Sequence, residues 1–380
     1  MMRVLLFLFS NNFFSYANYI VLIMMVYEII VRRKLSIVKT PAFAFLVAGS
    51  LMFMLLSLYN SYEISASTFM LRFVTPIFLF YIGYTRGLLG YDSLKLDILV
   101  IMFATLIHGL LNVLTNRNVN VLLINGRPYQ DIYGGPISAT LQNLMFVLSS
   151  SLLFYFLVYE KKKKLKIIAI IAILCGVYGS IANASRTLLY VTALVFFMCL
   201  FLHMILTHNI VSGIMRAVII CIVLYLIVIL VVWLNLFGVQ EWFMNTPLGR
   251  REATALPSSS VSQNMRWKYA GDILALLPQY PLGKIPYGNY AHNLWVDIAK
   301  ETGIIPFVLY ILFAVASLAE GVKYFFLEKK NPERAVTIAA VMVAYLLVFF
   351  TEPIMEGSPM TFAIFCFIVG GVSSLRRRTN

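Results

Sequence analysis

Charge is what this chain has least of. Of its 380 residues only 12% are charged, about half of what a soluble globular domain carries. That shortage excludes two or three water-soluble domains, which the length alone would allow. There is no disulfide framework and no thiolate metal site to read. The four cysteines, Cys175, Cys199, Cys221 and Cys366, each sit inside a long apolar run without a nearby partner. The sequence also lacks a His/Cys/Asp cluster with metal-ligand spacing, a phosphate-binding glycine loop and a Gly-x-Ser-x-Gly elbow. No period repeats along it, and the two halves do not mirror each other, which disfavours a transporter built from inverted repeats. A cleavable signal peptide is not expected, because the first apolar run is long and ends in Arg32-Arg33-Lys34.

What is present is apolar. Hydrophobic residues make up 61% of the chain, and the mean hydropathy is +0.86. The fold class this implies is all-α, a polytopic integral membrane protein. Windows of about 20 apolar residues give eleven candidate spans: roughly 10–31, 40–59, 67–84, 96–114, 138–159, 167–182, 188–206, 217–237, 303–322, 335–351 and 359–375. The break at Ser10-Asn11-Asn12 leaves room for a short extra span or re-entrant piece, so the expected count is 10 to 12. The net charge of +14 would suggest nucleic acid in a soluble protein, but its placement says otherwise. With the loop 32–39 inside, 19 of the 30 Lys and Arg fall on that side and nine on the other. This is the asymmetry of the positive-inside rule. The run Lys161–Lys164 is then an orientation signal, and no nucleic-acid partner is expected.

The outer side carries the informative residues. Segment 115–137 is longer than a turn needs, and 238–302 is too long for an idle connection. Within the latter, 250–263 reads as loop. Over 261–277 the residues Val261, Met265, Tyr269, Ile273 and Leu276 recur at helical spacing, with Arg266 on the flank. Turns follow at Pro278–Gly283 and Pro286–Asn289. A second helix starts near Asn293, a suitable N-cap, with His292 at its mouth. Asn293, Asp297 and Glu301 share one face, and Trp295 and Ala299 another. An interfacial helix anchored by Trp295 would account for the hydropathy alone. It would not account for a His, two carboxylates and a preceding Arg, which together suit a general base and an anionic leaving group. Arg127, Arg186 and Arg266 are the outer arginines that stand out, since the guanidinium fork suits phosphate. Arg72 lies about five residues inside the third span, where a charge is either functional or snorkels outward; the spans are otherwise read as nearly free of charge. His108 reads as a packed residue, and Asp131 and Glu241 as carboxylates without a legible partner.

In order and spacing, Arg266-Trp267, Pro281-Leu282-Gly283, Ala291-His292-Asn293-Leu294-Trp295 and Glu301-Thr302-Gly303-Ile304-Ile305 resemble the C-terminal signature of O-antigen polymerases and O-antigen ligases. Ser185-Arg186 resembles the Ser-Arg that opens the same module, so the likeness covers roughly 180–322 of a single polytopic domain, 1–380. Pro306 stands where the family's Gly-x-x-Gly has its last glycine, a departure that bears on local helix geometry. The resemblance implies a metal-independent glycosyl transfer, without a cofactor, at the outer (periplasmic or extracellular) face of a bacterial inner (plasma) membrane. Its donor would be a glycan on undecaprenyl diphosphate. Arg186 and Arg266 would hold the diphosphate, and His292 would orient or deprotonate the acceptor hydroxyl. Arg127, Arg72, Asn293, Asp297 and Glu301 are expected to bind substrate, with Asp297 or Glu301 orienting the imidazole. Membrane lipid, a chain-length regulator and a flippase are the partners such an enzyme implies. Polymerase is favoured over ligase because two outer segments with separate arginines suit two long substrates. A transporter or flippase of lipid-linked oligosaccharide is the alternative from another class.

Overall fold

A computed structural model describes the chain except for residues 33–36, 61, 63–64, 117–128, 135, 138, 184, 209, 255–258, 289–290 and 380. The described residues are almost entirely helical, apart from one two-residue antiparallel pair, Tyr129–Gln130 with Pro136–Ile137. Among them, nine helices are long and apolar enough to cross a membrane: Pro41–Tyr59, Ala66–Gly87, Tyr91–Thr115, Lys163–Ala182, Thr187–Thr207, Val211–Trp233, Ile304–Leu327, Pro332–Phe349 and Pro359–Arg377. Helices are what an apolar chain must form in lipid, because the backbone has no water to bond. This is a multi-pass membrane protein. Two further apolar helices, Ala17–Val31 and Gln142–Val158, are shorter. The break foreseen at Ser10–Asn12 is real. A nine-residue helix, Met2–Ser10, precedes a turn in which Asn12, Phe14 and Ser15 have positive φ. At 1.5 Å per residue that helix reaches about 14 Å, too short to span.

The chain forms two compact units. The first comprises Met1–Ile107, Ser259–Tyr324 and Tyr345–Asn380. Its centre is the C-terminal helix, packed along Ala66–Gly87. Four glycines permit that closeness: a Cβ on Gly83 would strike the Phe367 carbonyl, one on Gly87 Ser374 and Gly371, one on Gly370 the Phe80 carbonyl, and one on Gly371 Leu94. Small residues are how helices approach in lipid, where dispersion replaces the hydrophobic effect. Arg72 is not the only charge within the spans. Asp97 is fully buried and takes Arg86 through Nε–Oδ2 at 2.6 Å and Nη2–Oδ1 at 3.1 Å, and Arg3 at 2.8 Å. Glu320 pairs with Arg376 at 3.0 Å.

The second unit comprises His108–Ser258 and Phe325–Ala344. Its Gln142–Val158 stretch is three short helical pieces, Ala139–Leu144, Val147–Ser151 and Leu153–Val158. Ser149 and Ser151 turn their hydroxyls back onto the carbonyls of Phe146 and Leu148, at 2.9 and 2.8 Å, competing with the helical bonds. The stretch is buried almost throughout, the condition under which irregular backbone is tolerated at membrane depth. The segment 250–263, expected to be loop, instead holds Pro247–Thr254 and the start of Ser259–Leu276.

The Asp97 cluster ties the amino-terminal helix to two spans. Asp97→Ala would leave Arg86 without its buried partner and cost about 3–5 kcal/mol. Arg3→Ala, on the more exposed arm, would cost under about 1 kcal/mol. Thermal unfolding in detergent separates the two; equal midpoints for both variants would refute this account.

Candidate active site

The site grows from one backbone turn. Ser259–Leu276, the arginine helix, leads through Pro281-Leu282-Gly283 to the short histidine helix, Leu294–Thr302. The turn is stitched to the far end of that helix. Ile304 N donates to Pro281 O at 3.0 Å, Lys284 N to Glu301 O at 3.1 Å and Ile285 N to Lys300 O at 3.1 Å. Two glycines make this contact possible. Gly283 and Gly303 have φ of +90° and +81°, and a Cβ on either would enter the opposite backbone. The expected Pro-x-Gly turn and the glycine ending the helix are therefore one feature: each is glycine because the other strand of backbone passes against it. Asn60 locks the junction from the Pro41–Tyr59 helix, with Nδ2 donating to Leu282 O at 2.9 Å and Glu301 O at 3.0 Å.

Asn293 is the N-cap the sequence suggested. Its Oδ1 accepts from Trp295 N at 3.1 Å and Val296 N at 3.2 Å. The helix it opens is no interfacial amphipath, since Leu294–Ala299, Glu301 and Thr302 are all buried. Val296 and Ala299 pack with Ile273, Leu277, Ile285 and Ala291, joining it to the arginine helix. Trp295 lies against Phe350, with ring centroids 4.3 Å apart. Asp297 acts on the backbone: its carboxylate accepts from Ala291 N at 2.9 Å and Asn293 N at 3.1 Å, the amides on either side of His292. Between those two bonds His292 is held in the left-handed region, φ +54°. A non-glycine residue there costs about 1–3 kcal/mol and persists only where its surroundings over-determine it.

The imidazole is half-buried, and its Nδ1 is buried without a hydrogen bond among the described residues. Burial, and then the nearby Arg266 charge, push its pKa down to about 4, so the ring is neutral at pH 7. Arg266 Nη1 donates to Thr351 O at 3.2 Å, and Asn293 Nδ2 to Phe350 O at 3.4 Å. The connection 350–358 thus forms a further wall of the site.

One helical turn past Asp297, Glu301 meets Arg72 at 3.5 Å. Arg72 occupies a π-helical turn, Met70–Val74, just before Pro76, which has no N–H to return to the Arg72 carbonyl. Burial pushes the Glu301 carboxyl well up, and a hydrogen bond from its side chain to Glu356 adds to this against the opposing Arg72 charge. Burial also raises the Tyr62 phenol, with the charges of Glu301 and Glu356 contributing. Burial pushes Asp297 up to about 6, beyond what its two amide bonds offset.

Of the expected site residues, Arg266, His292, Asn293, Asp297, Glu301 and Arg72 belong to the first unit. Arg186 belongs to the second, where it precedes the Thr187–Thr207 span as its N-cap residue. Arg127 lies outside the described residues. Asp131 does have a partner, His108 Nε2 at 2.9 Å, with Asn112 Nδ2 at 3.4 Å. Burial would raise that carboxyl, but the bonds from His108, the Tyr133 amide and Asn112 hold it below its usual range. Sequence reasoning missed Asn60, Tyr62, Phe350, Thr351 and Glu356. The signal available for the last was a pair of carboxylates, Glu352 and Glu356, crowded into a short connection between two spans.

The turn and its charge are each open to test. Asp297→Ala leaves two buried amides unpaired and should cost about 2–4 kcal/mol, with Asp297→Asn in between; unchanged thermal unfolding in the alanine variant would remove Asp297 from this role. The folded pKa of His292 lies below its unfolded 6.5, so its contribution to stability is full above pH 6.5 and is lost as pH falls toward about 4. Arg266→Gln should move the His292 titration upward, read from imidazole 15N shifts. An unmoved titration would mean the two side chains do not interact.

No protein-family model matches the chain, and a search of curated proteins finds no relative.

Proposed function

We propose that this protein is a polysaccharide polymerase that joins undecaprenyl-diphosphate-linked oligosaccharide repeat units at the outer face of a bacterial plasma membrane. The observation that carries the reading is the His292 turn: a neutral imidazole in a strained backbone conformation, gripped by Asp297 on both sides and set beside Arg266. Strain of that kind is retained where geometry matters to chemistry. The order of motifs resembling O-antigen polymerases and ligases supplies the substrate class.

The transfer balances as follows. An acceptor hydroxyl oxygen attacks the anomeric carbon of the donor, and the bond from that carbon to the diphosphate oxygen breaks. The hydroxyl proton passes to the His292 ring. Arg266 offsets the charge gathering on the leaving diphosphate, the kind of fixed-cation stabilisation that a metal ion supplies elsewhere. The resemblance gives Arg186 the same task. Before donor binds, burial and then the Arg266 charge keep His292 a weak base. A diphosphate on Arg266 cancels part of that charge and raises the imidazole pKa, so the base strengthens when its substrate is seated.

The outer placement of the site rests on the Lys and Arg asymmetry of the loops. The eleven-span count with a large outer segment, 238–302, belongs to this same reading; the two shorter apolar helices, Ala17–Val31 and Gln142–Val158, would supply the tenth and eleventh. A flippase would line a path with charge through the membrane. Asp97 and Glu320 instead sit near the Lys/Arg-rich ends of their spans, each neutralised by arginine. A ligase using the same residues is the second reading.

Complementation tests the proposal in cells lacking the protein. Wild type should restore a ladder of repeats on a surface-polysaccharide gel. Arg186→Ala, Arg266→Ala and His292→Ala, at equal membrane abundance, should leave a single repeat unit. Loss of surface glycan with accumulation of lipid-linked polymer would identify the ligase instead. Ladders from all three variants would sink both readings.

A further inference from the structure

Beyond the His292 turn, the histidine helix presents a second polar cluster. Arg72, Tyr62, Glu301 and Glu356 converge on its last turn, reaching it from the π-helical turn, the end of the Pro41–Tyr59 helix and the 350–358 connection. Glu301 is buried, whereas Glu356 is partly accessible and Tyr62 is 38% exposed, so the cluster has an open side. Its buried parts are not fully satisfied, because the Arg72 Nε–H has no hydrogen-bond partner among the described residues.

The composition of the cluster selects its ligand. A hydrogen bond between two carboxyl side chains requires a proton on one of them. Glu301 and Glu356 then carry one negative charge together, and Arg72 carries one positive charge. The cluster is neutral overall but dense in hydrogen-bonding groups: carboxylate oxygens accept, the guanidinium donates, and a phenol does both. Phosphate would meet Arg72 only beside a carboxylate, which repels it. Arg266 is different, since its partner is the uncharged carbonyl of Thr351. Hydroxyl groups on a sugar ring both donate and accept, and they match the cluster without bringing charge. From the Asn293 cap to Glu301 is eight residues, about 12 Å at helical rise, so one glycan could touch both places.

We infer that Tyr62, Arg72, Glu301 and Glu356 form a saccharide-binding subsite that holds an uncharged, hydroxyl-rich sugar ring of the glycan. The inference rests on the polymerase reading for the identity of the glycan. Tyr62 and Glu356 face the ligand, and Glu301 fixes Arg72 and the shared proton.

The test measures binding, so it does not depend on turnover. The full chain is placed in nanodiscs and titrated with the host's own repeat-unit glycan, released from its lipid by mild acid. Glu356→Gln and Tyr62→Phe should each weaken binding tenfold or more while leaving thermal unfolding and the binding of inorganic pyrophosphate unchanged. His292→Ala should bind the free glycan as wild type does. If the wild type does not bind the glycan, or if both subsite variants bind it unchanged, the subsite is wrong, whatever the complementation gel shows. If binding behaves as expected but no variant alters the ladder, the subsite stands and the polymerase reading falls.

Discussion

Everything at the candidate site hangs on one carboxylate bonded to two backbone amides. Asp297 bridges Ala291 N and Asn293 N, and His292 is the residue caught between. Without that bridge the left-handed φ of His292 has nothing to pay for it, and the imidazole loses its fixed direction. The bridge in turn needs a helix that does not move. Burial on nearly every side supplies that, together with the Asn293 cap at one end and the Gly283–Gly303 backbone contact at the other. The sequence reading had a carboxylate orienting the imidazole ring. The bond runs instead to the backbone around it, so the orientation is set through the main chain.

A buried, charged site in a membrane protein is costly unless its groups are paired. The pairing here is uneven. Asp97 is fully buried with two arginines; this is a closed arrangement that fixes helices. Around the histidine helix the polar groups are left partly open. His292 Nδ1 and Arg72 Nε are buried without hydrogen-bond partners among the described residues, and Asp297 keeps a carboxyl raised to about 6. Unfinished hydrogen bonding of this kind marks the surroundings of the histidine helix as the place built to meet something else.

Hydropathy made the spans legible because lipid leaves an apolar chain no alternative to helix. The helix around Arg266 and the cap at Asn293 were legible from local spacing. What sequence could not supply was the pairing of distant residues. Asp131 meets His108 across 23 positions, Arg3 meets Asp97 across 94, and Arg266 reaches Thr351 across 85. Nothing local encodes those distances. The Pro247–Thr254 helix is a different failure. Thr246 Oγ1 accepts from Gly249 N at 3.1 Å and Pro247 opens the helix, an N-cap and first-turn proline that were readable but outweighed by the polar, arginine-rich residues that follow.

The two ends of the histidine helix carry opposite electrostatic instructions. At its start stand Arg266 and a neutral histidine, a place that favours an anion and is indifferent to a proton until the anion arrives. At its end Glu301 and Glu356 cancel Arg72, a place that disfavours an anion. A donor whose sugar leads away from a diphosphate has the same polarity along its length. Laid along this helix in one direction it meets matching groups at both ends; reversed, its phosphates face carboxyls. On the proposed function, a helix of nine residues, eight of them buried, would suffice to set which way a long, otherwise repetitive substrate points. That orientation would, on the proposed function, place the anomeric carbon, at the junction of sugar and phosphate, beside the His292 imidazole.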